Sequence, residues 1–259
     1  MAILTTTHNA GFFSNCTIRL RDIINYVNIY KSEPDSVDSS AQWAWYKNED
    51  IDLTSLYFKD NDIDIPTHEY AIELPHGEKD WQYEDYRNLP IIDWRPFVLK
   101  YYSVSEYVQM IIRKMIYKYN IEFINSCCVF FRGNDKVTET KIADYDKFID
   151  KAKEIDSKSK VIFYVIPDEC EFAKIFKEQF PNSIILEETP CIPSASNSNV
   201  FSSIDKKDRP YHGANYLASV YLTSHMKYII THSGNGAMWQ VLFRGNSKNI
   251  HQFYNNDWY

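Results

Sequence analysis

The stretch Cys127-Cys128-Val129-Phe130-Phe131-Arg132-Gly133-Asn134-Asp135-Lys136 decides the fold class. It opens on an uninterrupted apolar run, too short for a buried helix, which reads as a strand covered on both faces. The run empties abruptly into charge and glycine. Residues 132–140 read as a polar loop and residues 145–155 as an amphipathic helix, giving a strand-loop-helix unit. Further along, residues 160–166, 183–186 and 228–231 are strand-like, while 169–179 and 215–224 carry helical periodicity. A second loop, 232–236, opens a helix over 237–243. Strands that alternate with helices in this way specify a parallel sheet with right-handed crossovers. Ligands of such sheets bind at the carboxyl ends of the strands, and both polar loops fall on that edge.

Upstream, residues 2–7 read as a strand, 9–15 as a loop containing Gly11, and 17–30 as a helix with Ile18, Ile23, Ile24 and Val27 on its apolar side. Residues 33–95 are polar, aromatic and interrupted by proline, without a usable period. Helical spacing returns over 105–119, where Val108, Ile111, Ile112, Met115 and Tyr119 share a face. The expected architecture is α/β, with two Rossmann-like halves facing a cleft. Residues 1–120 form the first half and 121–259 the second. The aromatic tail from His251 to Tyr259 either packs back on the first half or forms an interaction surface.

Bulk properties narrow the function. The 259 residues are 44% hydrophobic and 24% charged, with mean hydropathy −0.44, which is ordinary globular composition. A net charge of −7 offers no general attraction to nucleic acid or anionic lipid, so any phosphate must be gripped locally. The five cysteines, Cys16, Cys127, Cys128, Cys170 and Cys191, are scattered and contain no CxxC pair, so reduced thiols and a cytoplasmic protein are expected. No basic segment leads a long apolar run, so neither a leader nor a membrane span is expected. Aromatic residues reach 16%, and rings with polar edges suit sugar stacking as well as packing.

The two loops carry the chemistry. Arg132 and Lys136, delivered together by an apolar strand, suit a diphosphate: a guanidinium can make two parallel charge-assisted bonds, whereas Lys acts as a point charge. Arg132 pairing with Asp135 across the turn is the plain alternative. Thr231-His232-Ser233-Gly234-Asn235-Gly236 precedes a helix, so its amides can point at an anion and its glycines permit close approach. It is neither a P-loop nor a dinucleotide fingerprint, and an ordinary turn would look the same. His8, His212 and His232 are each candidates to touch a ligand or simply to pack. Ser233 lies in no GxSxG elbow, which argues against a hydrolase. Asp60-Asn61-Asp62 mimics a metal-holding DxD but reads as a solvated acidic loop, so no metal is expected.

In order and separation the two loops resemble those of GT-B fucosyltransferases. Residues 129–137 are similar to the HxRRxDKV segment of core α1,6- and nodulation-factor fucosyltransferases, and residues 126–245 cover the match. The resemblance implies that Arg132 contacts the donor β-phosphate. It further implies that Asp168 lies near the donor nucleoside and that Ser233, Gly234, Asn235 and Gly236 lie beside the phosphates. Gly11, Phe12 and Phe13 resemble the family's glycine loop at the cleft. Gly133 replaces a second Arg, Phe130 replaces the His, and Ser219 stands at an aspartate position associated with guanine. The implied activity is metal-independent, inverting transfer of a sugar, fucose above all, from a GDP-sugar in preference to a UDP-sugar, onto a carbohydrate hydroxyl. No cofactor is required. Glu139 or Asp135 is the candidate base, with Glu187 and Glu188 behind them. A non-catalytic nucleotide- or sugar-binding module is the alternative.

Overall fold

The computed structural model describes residues 2–47, 49, 51–66, 69–70, 81–134, 143–193 and 204–259. The first part contains β1 (Ile3–Thr5), α1 (Phe12–Tyr30), β2 (Ser36–Asp38), α2 (Thr54–Tyr57), β3 (Phe58–Lys59), α3 (Ile91–Tyr101), β4 (Ser103–Val104) and α4 (Glu106–Tyr119). There follow β5 (Ser126–Phe131), α5 (Tyr145–Ser159), β6 (Ile162–Pro167), α6 (Cys170–Gln179), β7 (Ile184–Ile185), α7 (Arg209–Ser224), β8 (Tyr228–His232), α8 (Asn235–Arg244), β9 (Ile250–Tyr254) and β10 (Asp257–Trp258).

A six-stranded sheet in the order β10-β9-β8-β5-β6-β7 organises the molecule, parallel throughout except for β10. Every residue of β5 is buried, as its apolar run requires. Alternate side chains serve opposite faces. Cys127, Val129 and Phe131 point into a core with Phe148, Ile149 and Ala152 of α5 and Phe172 and Phe176 of α6. Cys128 and Phe130 join the larger core on the other face, with α7, α8 and the helices of the first part. That core runs without a break from Phe12 in α1 to Ile250 in β9. Among the described residues before α4, strands are short and paired in twos: β1 with β2 in parallel, β3 with β4 antiparallel.

Several sequence expectations change in detail. Helix α1 begins at Phe12, not residue 17, because the Asn15 side chain bonds both the N–H and the carbonyl of Ala10 (3.1 and 3.2 Å) and closes the first turn. Gly11 is thus the helix N-cap, and Phe12 and Phe13 are its first turn. Helix α7 starts at Arg209 with Pro210 in its first turn, a position where proline's missing N–H costs nothing. Helix α8 starts at Asn235, so Asn235 and Gly236 are helical. The aromatic tail consists of sheet strands β9 and β10, with Phe253 buried against Trp258. The expectation of reduced thiols fails for one pair. Cys170 and Cys191 form a disulfide across 21 residues, leaving Cys16, Cys127 and Cys128 as free, buried thiols. No helix among the described residues is long and apolar enough to cross a membrane.

Candidate functional site

The strands β7, β6 and β5 run outward one way from the middle of the sheet, β8 and β9 the other, so the order reverses between β5 and β8. Crossover helices must leave in opposite directions there, which opens a crevice at the strands' carboxyl ends. A cavity of about 460 Å³ occupies that crevice. It brings together Arg132 from the end of β5, Asp168 from the end of β6, and His232 to Gly236 from the end of β8, with Gly11, Phe12 and Phe13 of α1 opposite. Asp135, Lys136 and Glu139 lie outside the described residues. Glu187 and Glu188 do not line the cavity; both pair with Lys118 (2.8 and 3.2 Å). Asp60, Asn61 and Asp62 do not line it either.

Arg132 is held in place before any ligand arrives. Its Nε donates to Asp168 Oδ2 (3.1 Å) and its Nη1 to the Tyr216 hydroxyl (3.4 Å). The guanidinium carries five N–H donors in a rigid fork, so this anchoring is compatible with gripping an oxyanion. Asp168 also accepts from the Gly133 N–H at 2.7 Å, which ties the loop after β5 to the end of β6. Glu169 completes the clasp, accepting from the Asn134 N–H (2.8 Å) and the Tyr145 hydroxyl (2.6 Å). A Cβ on residue 133 would lie 2.2 Å from Glu169 Oε1, so any larger side chain there must displace the Glu169 carboxylate. The position that carries a second Arg in the resembled motif is filled from outside by a carboxylate.

The 233–236 loop differs from the sequence expectation in which amides remain open. Gly234 N–H donates to the Tyr86 hydroxyl (2.8 Å), and Asn235 N–H donates to Gln82 Oε1 (3.2 Å). Both groups are therefore engaged within the protein. Gly236 and Ala237, in the first turn of α8, have no described partner for their N–H groups and line the cavity. A helix N-terminus with open amides favours negative charge. Gly236 is also sterically required, since a Cβ there would meet the Tyr216 hydroxyl at 2.8 Å and Phe130 at 2.9 Å.

The supports of this loop come from residues whose sequence gave no signal. Gln82 and Tyr86 lie in the unpatterned stretch 33–95. Gln252 of β9 joins them: its Nε2 donates to Ser233 Oγ and to the Glu84 carbonyl (both 2.8 Å), and its Oε1 accepts from Tyr86 N–H (2.9 Å). Thr17 Oγ1 links α1 to α8, donating to Asn235 Oδ1 (2.8 Å) and accepting from Trp239 Nε1 (2.9 Å). Only long-range pairing reveals such residues, and nothing local distinguishes them.

Three histidines line the cavity: His8, His212 and His232. His232 is 2% exposed, and both of its ring nitrogens lack a hydrogen-bond partner among the described residues. Burial, reinforced by the Arg132 charge, lowers it to about 3. Burial lowers His212 to about 4. Both rings are neutral near pH 7. Ser219, at the position associated with guanine, is fully buried inside α7, bonds the Asn215 carbonyl (2.9 Å) and does not line the cavity. Asp168 is the only carboxylate among the described lining residues, and Arg132 and Gly133 already engage it.

No protein-family model and no curated protein matches this chain. Solved structures do. The fucosyltransferase NodZ from Bradyrhizobium superposes with a TM-score of 0.59 at 10% identity, over 98% of this chain and 96% of that one. A NodZ alpha-1,6-fucosyltransferase co-crystallized with GDP gives 0.56 at 11% identity, covering 98% and 95%. One soaked with GDP-fucose gives 0.55 at 11%, covering 93% and 92%. The superpositions cover nearly the whole length of both proteins, so despite the diverged sequence this chain has the fold of the NodZ fucosyltransferases.

Proposed function

We propose that the protein is a glycosyltransferase that moves a sugar, fucose in the first instance, from a nucleoside-diphosphate donor to a carbohydrate hydroxyl. The observation that carries this reading is the convergence of Arg132 with the open first turn of α8 at the sheet's switch point. Arg132 and the Gly236 and Ala237 amides would neutralise the charge that develops on a departing nucleoside diphosphate. Support also comes from the solved relatives of the same fold, whose crystals were prepared with GDP or GDP-fucose. In this reading the protein is a compact GT-B molecule. Residues 1–120 provide the acceptor side, residues 121–259 the donor side, and the cavity is the cleft between them. Transfer proceeds with inversion and without metal, the base being Glu139 or Asp135, with Lys136 assisting at the phosphates.

One observation favours a second reading, a nucleotide- or sugar-binding module without turnover. Asp168, the sole described carboxylate in the cavity, is committed to Arg132 and Gly133 and is not placed to take a proton. The test is incubation with GDP-fucose and, separately, UDP-sugars in the presence of a mixed glycan pool. Release of nucleoside diphosphate with sugar incorporated into glycan is the expected result, and Glu139→Gln or Asp135→Asn should suppress it. Donor binding without release would establish the module instead.

A further inference from the structure

The parallel strands β1 and β2 of the first part end at the same edge, where Thr6 N–H donates to the Asp38 carbonyl (2.9 Å). One side chain bolts together the segments that leave them. Asn9 Nδ2 donates to the Ala41 carbonyl (2.6 Å), and its Oδ1 accepts from Ala44 N–H (2.9 Å). The second segment is fixed further by its own rings. Trp43 is buried, with Nε1 donating to Thr54 Oγ1 (3.3 Å), and Tyr46 is buried edge-on to Phe12, 5.5 Å between centroids. Between these two anchors Trp45 is held outward. It is 41% exposed and lines the cavity, and its indole makes no ring contact or hydrogen bond among the described residues. A turn tied at both ends does not expose a ring through looseness, so a fixed apolar plane stands in water at the cavity wall.

The rest of that wall decides what chemistry the plane can receive. The first part gives it polar groups as well, including His8, Ser14, Gln82 and Tyr83, but no Lys, Arg, Asp or Glu among the described residues. The two charged residues in the described lining, Arg132 and Asp168, come from the second part and pair with each other. A charged ligand lying against Trp45 would find no counter-ion there. A pyranose ring fits: its C–H face takes a flat apolar surface, and its hydroxyl rim takes neutral donors and acceptors.

We propose that Trp45 is the platform on which a sugar ring of a neutral carbohydrate acceptor stacks. The inference rests on the glycosyltransferase reading above and deepens it, naming the residue that holds the acceptor. The indole binds and orients; it takes no part in bond making.

The test is calorimetric titration of wild type, Trp45→Ala and Trp45→Phe with cellotetraose, N-acetylchitotetraose, maltotetraose and mannotetraose, each with and without saturating GDP. At least one tetrasaccharide should bind the wild type. Trp45→Ala should weaken that binding about tenfold, the worth of one aromatic contact, while Trp45→Phe, which keeps a ring face, stays within about threefold. Affinity for GDP and the melting temperature without ligand should match wild type in both variants. Failure of the wild type to bind any of the four, or equal affinity in Trp45→Ala, overturns the proposal. A loss of GDP affinity as large as the loss for the sugar overturns it too, by placing the ring under the nucleobase. So does a melting temperature several degrees lower, which would make Trp45 a packing residue. Absence of GDP binding to wild type is the separate failure of the donor-site reading, and the titrations without GDP still decide the role of Trp45. Should the variants not fold, the indole N–H resonance of Trp45 in the wild type decides: it moves on adding the tetrasaccharide if the ring is the platform and stays if it is not.

Discussion

Arg132 acts through the residues that hold it, and Gly133 shows how tightly that holding is specified. The Glu169 carboxylate occupies the space a side chain at 133 would need, while bonding Asn134 and Tyr145. Gly133→Ala must push Glu169 aside and give up those bonds, at a cost of about 1–3 kcal/mol typical of overpacking. For a chain of this size that corresponds to a fall in melting temperature of roughly 2–10 °C. Diphosphate affinity should fall as well, because Arg132 loses its register against Asp168. A Gly133→Ala protein with unaltered melting temperature would show that Glu169 yields freely and that the clasp is not structural. The glycine that stands where the resembled motif has an arginine thus lies against the Glu169 carboxylate, a neighbour that an isolated reading of the sequence could not supply.

At the level of elements, the apolar run of β5, the alternating pattern from β6 to α8 and the face of α4 were legible because burial imposes period. Helix starts were not: Phe12, Arg209 and Asn235 begin helices in stretches that look like loops until Asn15, Pro210 and the bonds from Gln82 and Tyr86 are seen in place. The Cys170–Cys191 disulfide was equally illegible, since its partners follow no recognisable spacing and meet only because residues 168–170, just after β6, run alongside the segment before residue 193. That segment supplies Thr189, Pro190 and Ile192 to the cavity wall, and Ile192 N–H bonds the Asp168 carbonyl at 2.9 Å. Closing a loop of 21 residues is worth about 3 kcal/mol on chain-entropy grounds. Cys170→Ser or reduction should therefore lower stability by about that amount and weaken diphosphate binding by loosening the wall beside Asp168. Equal melting temperatures and affinities with and without reductant would show that the cross-link contributes to neither.

Across the whole molecule, the buried histidines set a pH dependence. The ordinary histidine value is 6.5, while His232 titrates near 3 and His212 near 4 in the folded protein. An unfolded chain takes up protons below pH 6.5 that the folded one refuses, so this contribution to stability is full above pH 6.5 and is lost as the pH falls toward the folded values. The slope approaches about 1.4 kcal/mol per pH unit for a fully buried ring. His232→Phe should accordingly lose less stability than wild type between pH 7 and pH 5, measured by melting temperature. Identical pH sensitivity would mean that His232 does not carry it. Donor binding in this molecule requires the cavity at the switch point to accept a nucleoside diphosphate through Arg132. The direct measurement is the melting temperature of wild type and Arg132→Ala, each with and without saturating GDP at neutral pH, since a ligand of the native state stabilises it by mass action. GDP at about a hundred times its dissociation constant should add about 2.7 kcal/mol, raising the wild-type transition by roughly 5–10 °C and leaving Arg132→Ala unmoved. No shift for the wild type, or an equal shift for Arg132→Ala, would contradict it.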